Sequence, residues 1–469
     1  TVQRIRELFV QLLGVGDVSC VAITPSTSYA MTLVAKSIQM NAGQHIVVLE
    51  GQSASNVLMW QALADAHRTC ALRVVPRPKN QDWTPGILAC LERNVRVVAL
   101  GNVHWTDGSV IDLEVISDRC REIGALLCLD LTQSLGAMPF EGRRIRPAFV
   151  ACSTHKWIHS VHGVSLLYVD KDILPMTRNM EEHDRNRLGA DRTEWDHVGA
   201  MTSKGYPREF MPGACRLDAG GRPNPILLPI LLKSLETMTS LNVRMIAAYC
   251  EPRIKMVADC ARTLGYSVPV RHASHFVGIR LPSRPEKDRM SAGSVAVPPM
   301  EVQPVPETPA ALAAKKRVDH LRLVKMEDVF NLLLQRGFQL SLRCGALRIS
   351  VFLYTKAEDV RSLCLALAEV THQAGVGSVG PRSLNRTLGP VAHRIRPLAS
   401  CPLYTEAGTK RPKLSCRVCR SPNARFYCID CSKDITQSRD IHALCGIDVS
   451  RGEQSKDCVC VHIQGVGVY

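Results

Sequence analysis

Val2, Ile5, Leu8, Phe9 and Leu12 recur at helical spacing, so the chain is expected to open in a helix. Near-continuous apolar runs follow at 45–49 (HIVVL), 72–75 (LRVV), 96–100 (RVVAL), 125–130 (ALLCLD), 148–152 (AFVAC) and 164–169 (VSLLYV). Helical patterns near 28–40, 55–67 and 112–123 fall between them, and Gly43 and Gly124 stand where helices would stop. Short apolar strands alternating with helices predict an α/β fold over residues 20–170, with a mainly parallel sheet covered on both faces.

The rhythm changes after residue 225. Long helices are predicted at 226–240 and 243–263, then a strand near 276–281. Residues 282–309 hold seven prolines and read as a flexible insertion. A helix at about 315–336, a strand at 346–353 (ALRISVFL) and a helix at about 357–371 complete a smaller α+β domain. The expected organisation is a large domain over 1–240, a small one over 241–372, a linker over 373–415 and a Cys/His-rich module over 416–469.

The chain has 469 residues, 46% of them apolar and 22% charged, too long for one ordinary domain and too apolar for a disordered polyelectrolyte. No apolar run reaches the ~18 residues of a membrane span. The chain starts at Thr1 directly on a helical pattern, without an initiator Met or a secretory leader, which fits a truncated N-terminus equally well. Residues 380–469 carry 14 Lys and Arg against 7 Asp and Glu, about half of the net +15, so contact with nucleic acid is an option for the tail rather than the body. Eleven of the 19 cysteines lie before residue 380, mostly inside apolar runs, which predicts free thiols in a reducing, cytoplasmic setting.

The most informative stretch is 125–169. Asp130 ends one buried strand, Gln133 lies three residues on, and Lys156 follows the next strand in Ser153-Thr154-His155-Lys156-Trp157. In an open α/β sheet, ligands bind at the carboxyl ends of the strands, so Asp130 and Lys156 are both directed to the expected crevice. A sheltered carboxylate beside a sheltered lysine suits pyridoxal phosphate chemistry, in which the lysine joins the aldehyde and the carboxylate keeps the pyridine nitrogen protonated. Ser26, Thr27 and Ser28, just ahead of a helix ending near Asn41, make a phosphate cradle. Each feature alone is ordinary: an N-cap, a turn aspartate, a solvated lysine. Their order along the chain is what one cofactor requires.

On these residues the sequence resembles the class V aminotransferase family of fold-type I pyridoxal phosphate enzymes over about residues 1–372. The resemblance rests on D-x-x-Q at Asp130–Gln133, S-x-H-K-W at Ser153–Trp157, the glycines Gly213, Gly220 and Gly221 with Asn224, Leu347–Ser350 (LRIS), and Asp107-Gly108 with Ile111-Asp112-Leu113. SASNVLMW (53–60) and GGRPNPILLPILLKSLE (220–236) look most like the isopenicillin N epimerase branch. The resemblance implies that Lys156 is the Schiff-base lysine and proton shuttle, that Asp130 pairs with the pyridinium, and that Gln133 bonds the ring hydroxyl oxygen. It further implies a phosphate held by Thr27, Ser28, Ser153 and Ser26. His155 is implied beside the phosphate and ring, Asn102 near the ring substituents, and Arg348 at the carboxylate of an amino-acid-like substrate. A homodimer is implied, with Gly220–Asn224 as the contributing loop.

The sequence departs from the family at several points. Ser53 stands where the family stacks an aromatic or histidine on the ring, and the family's first segment would lie before Thr1. Cys344, four residues before Arg348, is the only thiol near the clamp, which argues against cysteine desulfurase chemistry.

The tail carries Cys416, Cys419, Cys428 and Cys431 as paired C-x-x-C knuckles, then His442, Cys445, Cys458, Cys460 and His462. This spacing predicts zinc, with ligands enough for two tetrahedral ions, and resembles the cysteine-rich ends of piggyBac-type transposases. The alternative function is a decayed enzyme scaffold that binds partners through its zinc tail.

Overall fold

The structure is a computed structural model that describes residues 1–67, 69–188, 208–220, 224–282, 321 and 324–374. The Pro-rich stretch from 283, the linker beyond 374 and every candidate zinc ligand from Cys416 to His462 lie outside the described residues. Gly221, in the loop expected to serve a partner subunit, lies outside them too.

Helix α1 (Val2–Leu13) opens the chain, and Gly14 closes it in the left-handed region. The main sheet has seven strands: β1 (Val21–Thr24), β2 (His45–Leu49), β3 (Ala71–Val75), β4 (Val95–Gly101), β5 (Leu126–Asp130), β6 (Phe149–Ser153) and β7 (Ser165–Val169). Their spatial order is β1-β7-β6-β5-β4-β2-β3. β3, β2, β4, β5 and β6 run parallel, while β7 is antiparallel to both β6 and β1. Helices α2 (Thr27–Ser37), α3 (Leu58–Asp65), α4 (Trp83–Ala89), α5 (Leu113–Ile123), α6 (Gly142–Ile145) and α7 (Leu227–Leu241) accompany this sheet. Two apolar clusters form its core. One draws on Leu8, Val98, Leu129 and Leu231, and the other on Leu33, Val48, Cys128 and Phe149. Alternate residues of β5 thus enter opposite cores, which is why the strand reads as an unbroken apolar run.

Helix α8 (Val243–Leu264) leads to a three-stranded antiparallel sheet of order β8 (Phe276–Ile279), β10 (Ala346–Ser350), β9 (Ser341–Arg343). Helices α9 (Met326–Gln335) and α10 (Ala357–Ala374) pack with α8 in a core of its own around Ile254, Val277, Leu333, Leu347 and Leu367. The strand expected to run through residue 353 stops at Ser350, and α2 stops at Ser37, short of Asn41. No helix among the described residues is long and apolar enough to cross a membrane.

The loop after β4 joins the two sheets. Gly278 N–H donates to the Asp107 carbonyl (2.8 Å), Ala273 N–H to the Gly108 carbonyl (2.8 Å), and Val110 N–H to the Arg271 carbonyl (3.0 Å). Gly278 has to be glycine here, because a Cβ would lie 2.5 Å from the Asp107 Cα and 2.7 Å from the Thr106 carbonyl oxygen. Asp107 has no exposed side-chain surface and is shared by Arg77 and Arg280, the latter at 3.4 Å. Burial pushes its pKa up, but His104, Arg77, the Ser109 hydroxyl and Arg280 outweigh that and hold it below the usual carboxylate range.

Candidate active site

β4, β5 and β6 are parallel neighbours, so their carboxyl ends meet at one edge. Gly101 pairs with Asp130, and Asp130 with Ala151. A cleft at this edge is lined by Gln52, Ser53, Asn56, Trp105, Asp130 and Gln133 among others. It lies at the carboxyl end of the sheet, where α/β folds hold their ligands.

Asp130 accepts a hydrogen bond from the Thr132 N–H (2.9 Å). Burial raises its pKa, and the bonds from Thr132 and the charge of Lys156 pull it back only in part. A buried carboxylate in this state favours a cation beside it. Lys156 responds to the same environment in the opposite sense. Burial lowers its pKa, Asp130 opposes this, and Arg348 and Arg343 add to the lowering. The two groups the sequence singled out therefore act on each other.

The loop carrying Lys156 is fixed on both sides. Thr154 Oγ1 donates to the Val164 carbonyl (2.9 Å), which closes the loop between β6 and β7. Trp157 packs edge-on against His275, 4.2 Å between ring centroids, and so reaches the second sheet's core. Gly136, at φ 100°, lets the turn after β5 pass beneath it, since a Cβ there would lie 2.2 Å from the Trp157 carbonyl oxygen.

The hydroxyls form a compact group at the start of α2. Thr27 Oγ1 lies 2.6 Å from Ser153 Oγ, 3.4 Å from Thr132 Oγ1 and 3.5 Å from Ser165 Oγ. Ser28 Oγ donates to Ser55 Oγ at 3.1 Å. Ser26 accepts from the Tyr29 N–H (3.0 Å), so its hydroxyl caps the helix. An eleven-residue helix beginning among these hydroxyls offers N–H groups and a positive dipole end to an anion.

Gln133 and Arg348 meet directly. Arg348 Nη2 donates to Gln133 Oε1 (3.1 Å), and Nη1 to the Trp105 carbonyl (2.8 Å). A guanidinium only donates, so the Gln133 amide oxygen faces it and the NH2 end is left for an acceptor. Burial, with Arg343 adding, lowers Arg348 to about 10. Its guanidinium also lies over the Phe276 ring at 3.9 Å. Asn102 accepts from Ser134 Oγ at 2.5 Å, behind the turn that carries Gln133. His155 stands beside Lys156, but its ring stacks on His162 at 3.8 Å, and burial, with His162 and Lys156 adding, holds it down to about 4. Asn224 caps the turn into α7, accepting from the Ile226 N–H (2.9 Å).

Several residues at the site went unread in the sequence. His275, with no exposed surface, donates Nε2–H to the Gln133 carbonyl at 2.7 Å, and burial holds its pKa down to about 3. Trp105 lines the same cleft as Ser53, the residue that stands where a stacking ring was expected. Arg343 lies over Trp105, 5.9 Å from the ring centroid. Trp105, whose Nε1–H donates to the Gly51 carbonyl (2.7 Å), and Arg343 fall in short polar-apolar segments with no periodic signal, and only the approach of the second sheet brings the two together.

The residues present fit pyridoxal phosphate: a buried carboxylate, a desolvated lysine in the loop after the next strand, and a hydroxyl-lined helix start. Residues 1–197 match the family model described as aminotransferase class-V. An uncharacterized aminotransferase, YcbU, of Bacillus subtilis is 28% identical over 174 residues, 36% of this chain and 44% of the relative. A probable cysteine desulfurase of Methanothermobacter thermautotrophicus is 29% identical over 154 residues, 33% of this chain and 38% of the relative. The chain thus covers less than half the length of these curated relatives. The fold is that of the apo cysteine desulfurase from Thermococcus onnurineus, with a TM-score of 0.60 at 16% identity over 79% of this chain and 84% of that one. On sequence and fold together, residues 1–197 match the aminotransferase class-V family and count cysteine desulfurases among their homologues.

Proposed function

We propose that the chain is a pyridoxal phosphate-dependent enzyme acting on an amino-acid-like substrate, by epimerase, lyase or transaminase chemistry. One observation carries the reading: Asp130 and Lys156 leave the carboxyl ends of adjacent parallel strands and shift each other's charge state, and Asp130 shares its cleft with Gln133, which Arg348 holds. When bound, pyridoxal phosphate supplies an electron sink that loosens bonds at the substrate α-carbon. Asp130 would hold the proton at the pyridine nitrogen. Thr27, Ser28 and Ser153, with the start of α2, bind the phosphate. The Gln133 NH2, oriented by Arg348, would donate to the ring hydroxyl oxygen. Lys156 Nζ would be the amine that holds the cofactor aldehyde and carries the substrate α-proton, and its desolvation favours the neutral amine that both roles need. Arg348 binds the substrate carboxylate through a planar donor pair.

A desulfurase needs a thiol that reaches the substrate sulfur. Cys344, the cysteine nearest Arg348 in sequence, is exposed at the tip between β9 and β10, at φ 47°. Lysis or epimerisation is therefore favoured over sulfur transfer to a protein thiol. The test is borohydride reduction of the pyridoxal phosphate-treated protein followed by peptide mapping. Lys156 should carry the label; a label on a different lysine would remove the basis of the reading.

A further inference from the structure

The second sheet reaches Gln133 from two adjacent strands. His275 stands immediately before β8, and the Val351 N–H donates to its carbonyl (2.8 Å), which carries the β8–β10 pairing one step beyond Phe276 and Ser350. Arg348 pairs with Gly278 in the same ladder. His275 and Arg348 are therefore set by one pair of strands, and both cross to Gln133. Arg348 Nη2 takes the side-chain oxygen (3.1 Å), and His275 Nε2 takes the backbone carbonyl (2.7 Å). On the large-domain side of the same turn, Ser134 Oγ donates to the Asn102 side chain (2.5 Å). Gln133 is thus held between the two sheets.

The chemistry of His275 narrows its role. A carbonyl only accepts, so Nε2 carries the proton. Burial keeps the ring neutral, which leaves Nδ1 a bare acceptor. Nδ1 makes no hydrogen bond among the described residues, and the side chain has no exposed surface. A buried acceptor without a partner costs stability, so packing alone does not call for a histidine here. What His275 supplies and an apolar side chain cannot is the N–H on the Gln133 carbonyl. His275 is not one of the residues that line the cleft, whereas Gln133 is. Any effect of His275 on a ligand there has to pass through a neighbour.

We propose that His275 is a positioning residue, which fixes the Gln133 backbone against the second sheet so that the Gln133 amide keeps the orientation needed at the ring hydroxyl oxygen of pyridoxal phosphate. The identity of the cofactor rests on the proposed function; the link from His275 to Gln133 rests on the geometry of the turn.

Pyridoxal phosphate titrations of the full chain, followed by visible absorbance, test this in a double-mutant cycle with Gln133→Ala. His275→Leu should weaken cofactor uptake about fivefold to tenfold, the loss of roughly one hydrogen bond, and should move the band maximum. His275→Gln, whose Nε2–H extends about as far as that of the imidazole, should restore both. In the Gln133→Ala background, His275→Leu should change uptake by less than about twofold. Equal losses in the two backgrounds would overturn the proposal. So would a His275→Gln variant no better than His275→Leu, because packing rather than the N–H would then be at work. Should His275→Leu not fold, as read by circular dichroism, His275→Asn replaces it in the same cycle, its amide being too short to reach the carbonyl. A native chain that takes up no cofactor removes the proposed function and the positioning role together. A native chain that takes it up, with uptake and band unaltered by His275→Leu, removes the positioning role alone.

Discussion

Asp130 and His104 show what burial does to single groups at this site. Asp130 is a carboxylate whose charged form the fold disfavours until a cation stands beside it. Asp130→Asn is isosteric and keeps an acceptor for the Thr132 N–H, so folding should be preserved while turnover falls by about 100-fold or more, since an amide cannot hold the pyridine nitrogen protonated. Steady-state kinetics alongside a urea melt checks both halves; near-native turnover would make Asp130 a turn residue. His104 and His275 are buried and neutral, held down to about 4 and about 3 chiefly by burial. Their unfolded forms gain protons below pH ~6.5, so the unfolded chain binds more protons than the native one as pH falls from there toward 4. Stability should then drop by about 1.4 kcal/mol per pH unit for each of them. Urea midpoints at pH 7 and pH 5 measure this, and a flat profile would contradict the neutral buried state.

Among the elements, the strands of the large sheet were the most legible part of the chain. HIVVL at 45–49 matches β2, and the other five runs fall within a residue of β3 to β7. β2 and β4 to β7 are buried on both faces and so leave a continuous apolar trace, whereas β3 stands at the sheet edge with Val74 exposed. β1 was missed because Val21–Thr24 is only four residues long, and β9 because Ser341–Arg343 is three. The antiparallel return of β7 follows from the loop over 154–164, which carries no crossover helix. Asp130 and Lys156 stood out because each follows a buried strand, whereas Gln133 and Arg348 were singled out only through the family resemblance. Trp105 and His275 were not singled out, since they meet the site through contacts between elements distant in sequence, with the Gly51 and Gln133 carbonyls. Gly136 is such a contact in backbone form. Gly136→Ala combines a positive φ with a clash at the Trp157 carbonyl and should destabilise the fold by about 1–3 kcal/mol or more. It should also weaken cofactor binding by displacing the Lys156 loop. Thermal melts paired with a cofactor titration check this; a variant unchanged in both would show that the turn and the Lys156 loop are not coupled.

At the scale of the whole molecule, the two sheets converge on the loop from His104 to Ser109, so Arg348 of one is placed against Gln133 and the Trp105 carbonyl of the other. Gly278, the Asp107 ion pairs and the Trp105 carbonyl supply that convergence. The tail is a separate matter of composition. Its nine Cys and His candidates between 416 and 462 are expected to hold about two zinc ions per chain, which metal analysis of the purified full-length protein measures directly. A metal-free chain would show the cysteine pairs to be unligated. The reading of the body depends on Asp130 and Lys156 sharing one cofactor, and a pyridoxal phosphate titration of the purified chain, followed by visible absorbance, tests that most directly. The expected result is a saturable visible band in the native protein that Lys156→Ala abolishes and Asp130→Asn shifts. A native chain that develops no band, or one that survives intact in Lys156→Ala, would contradict it.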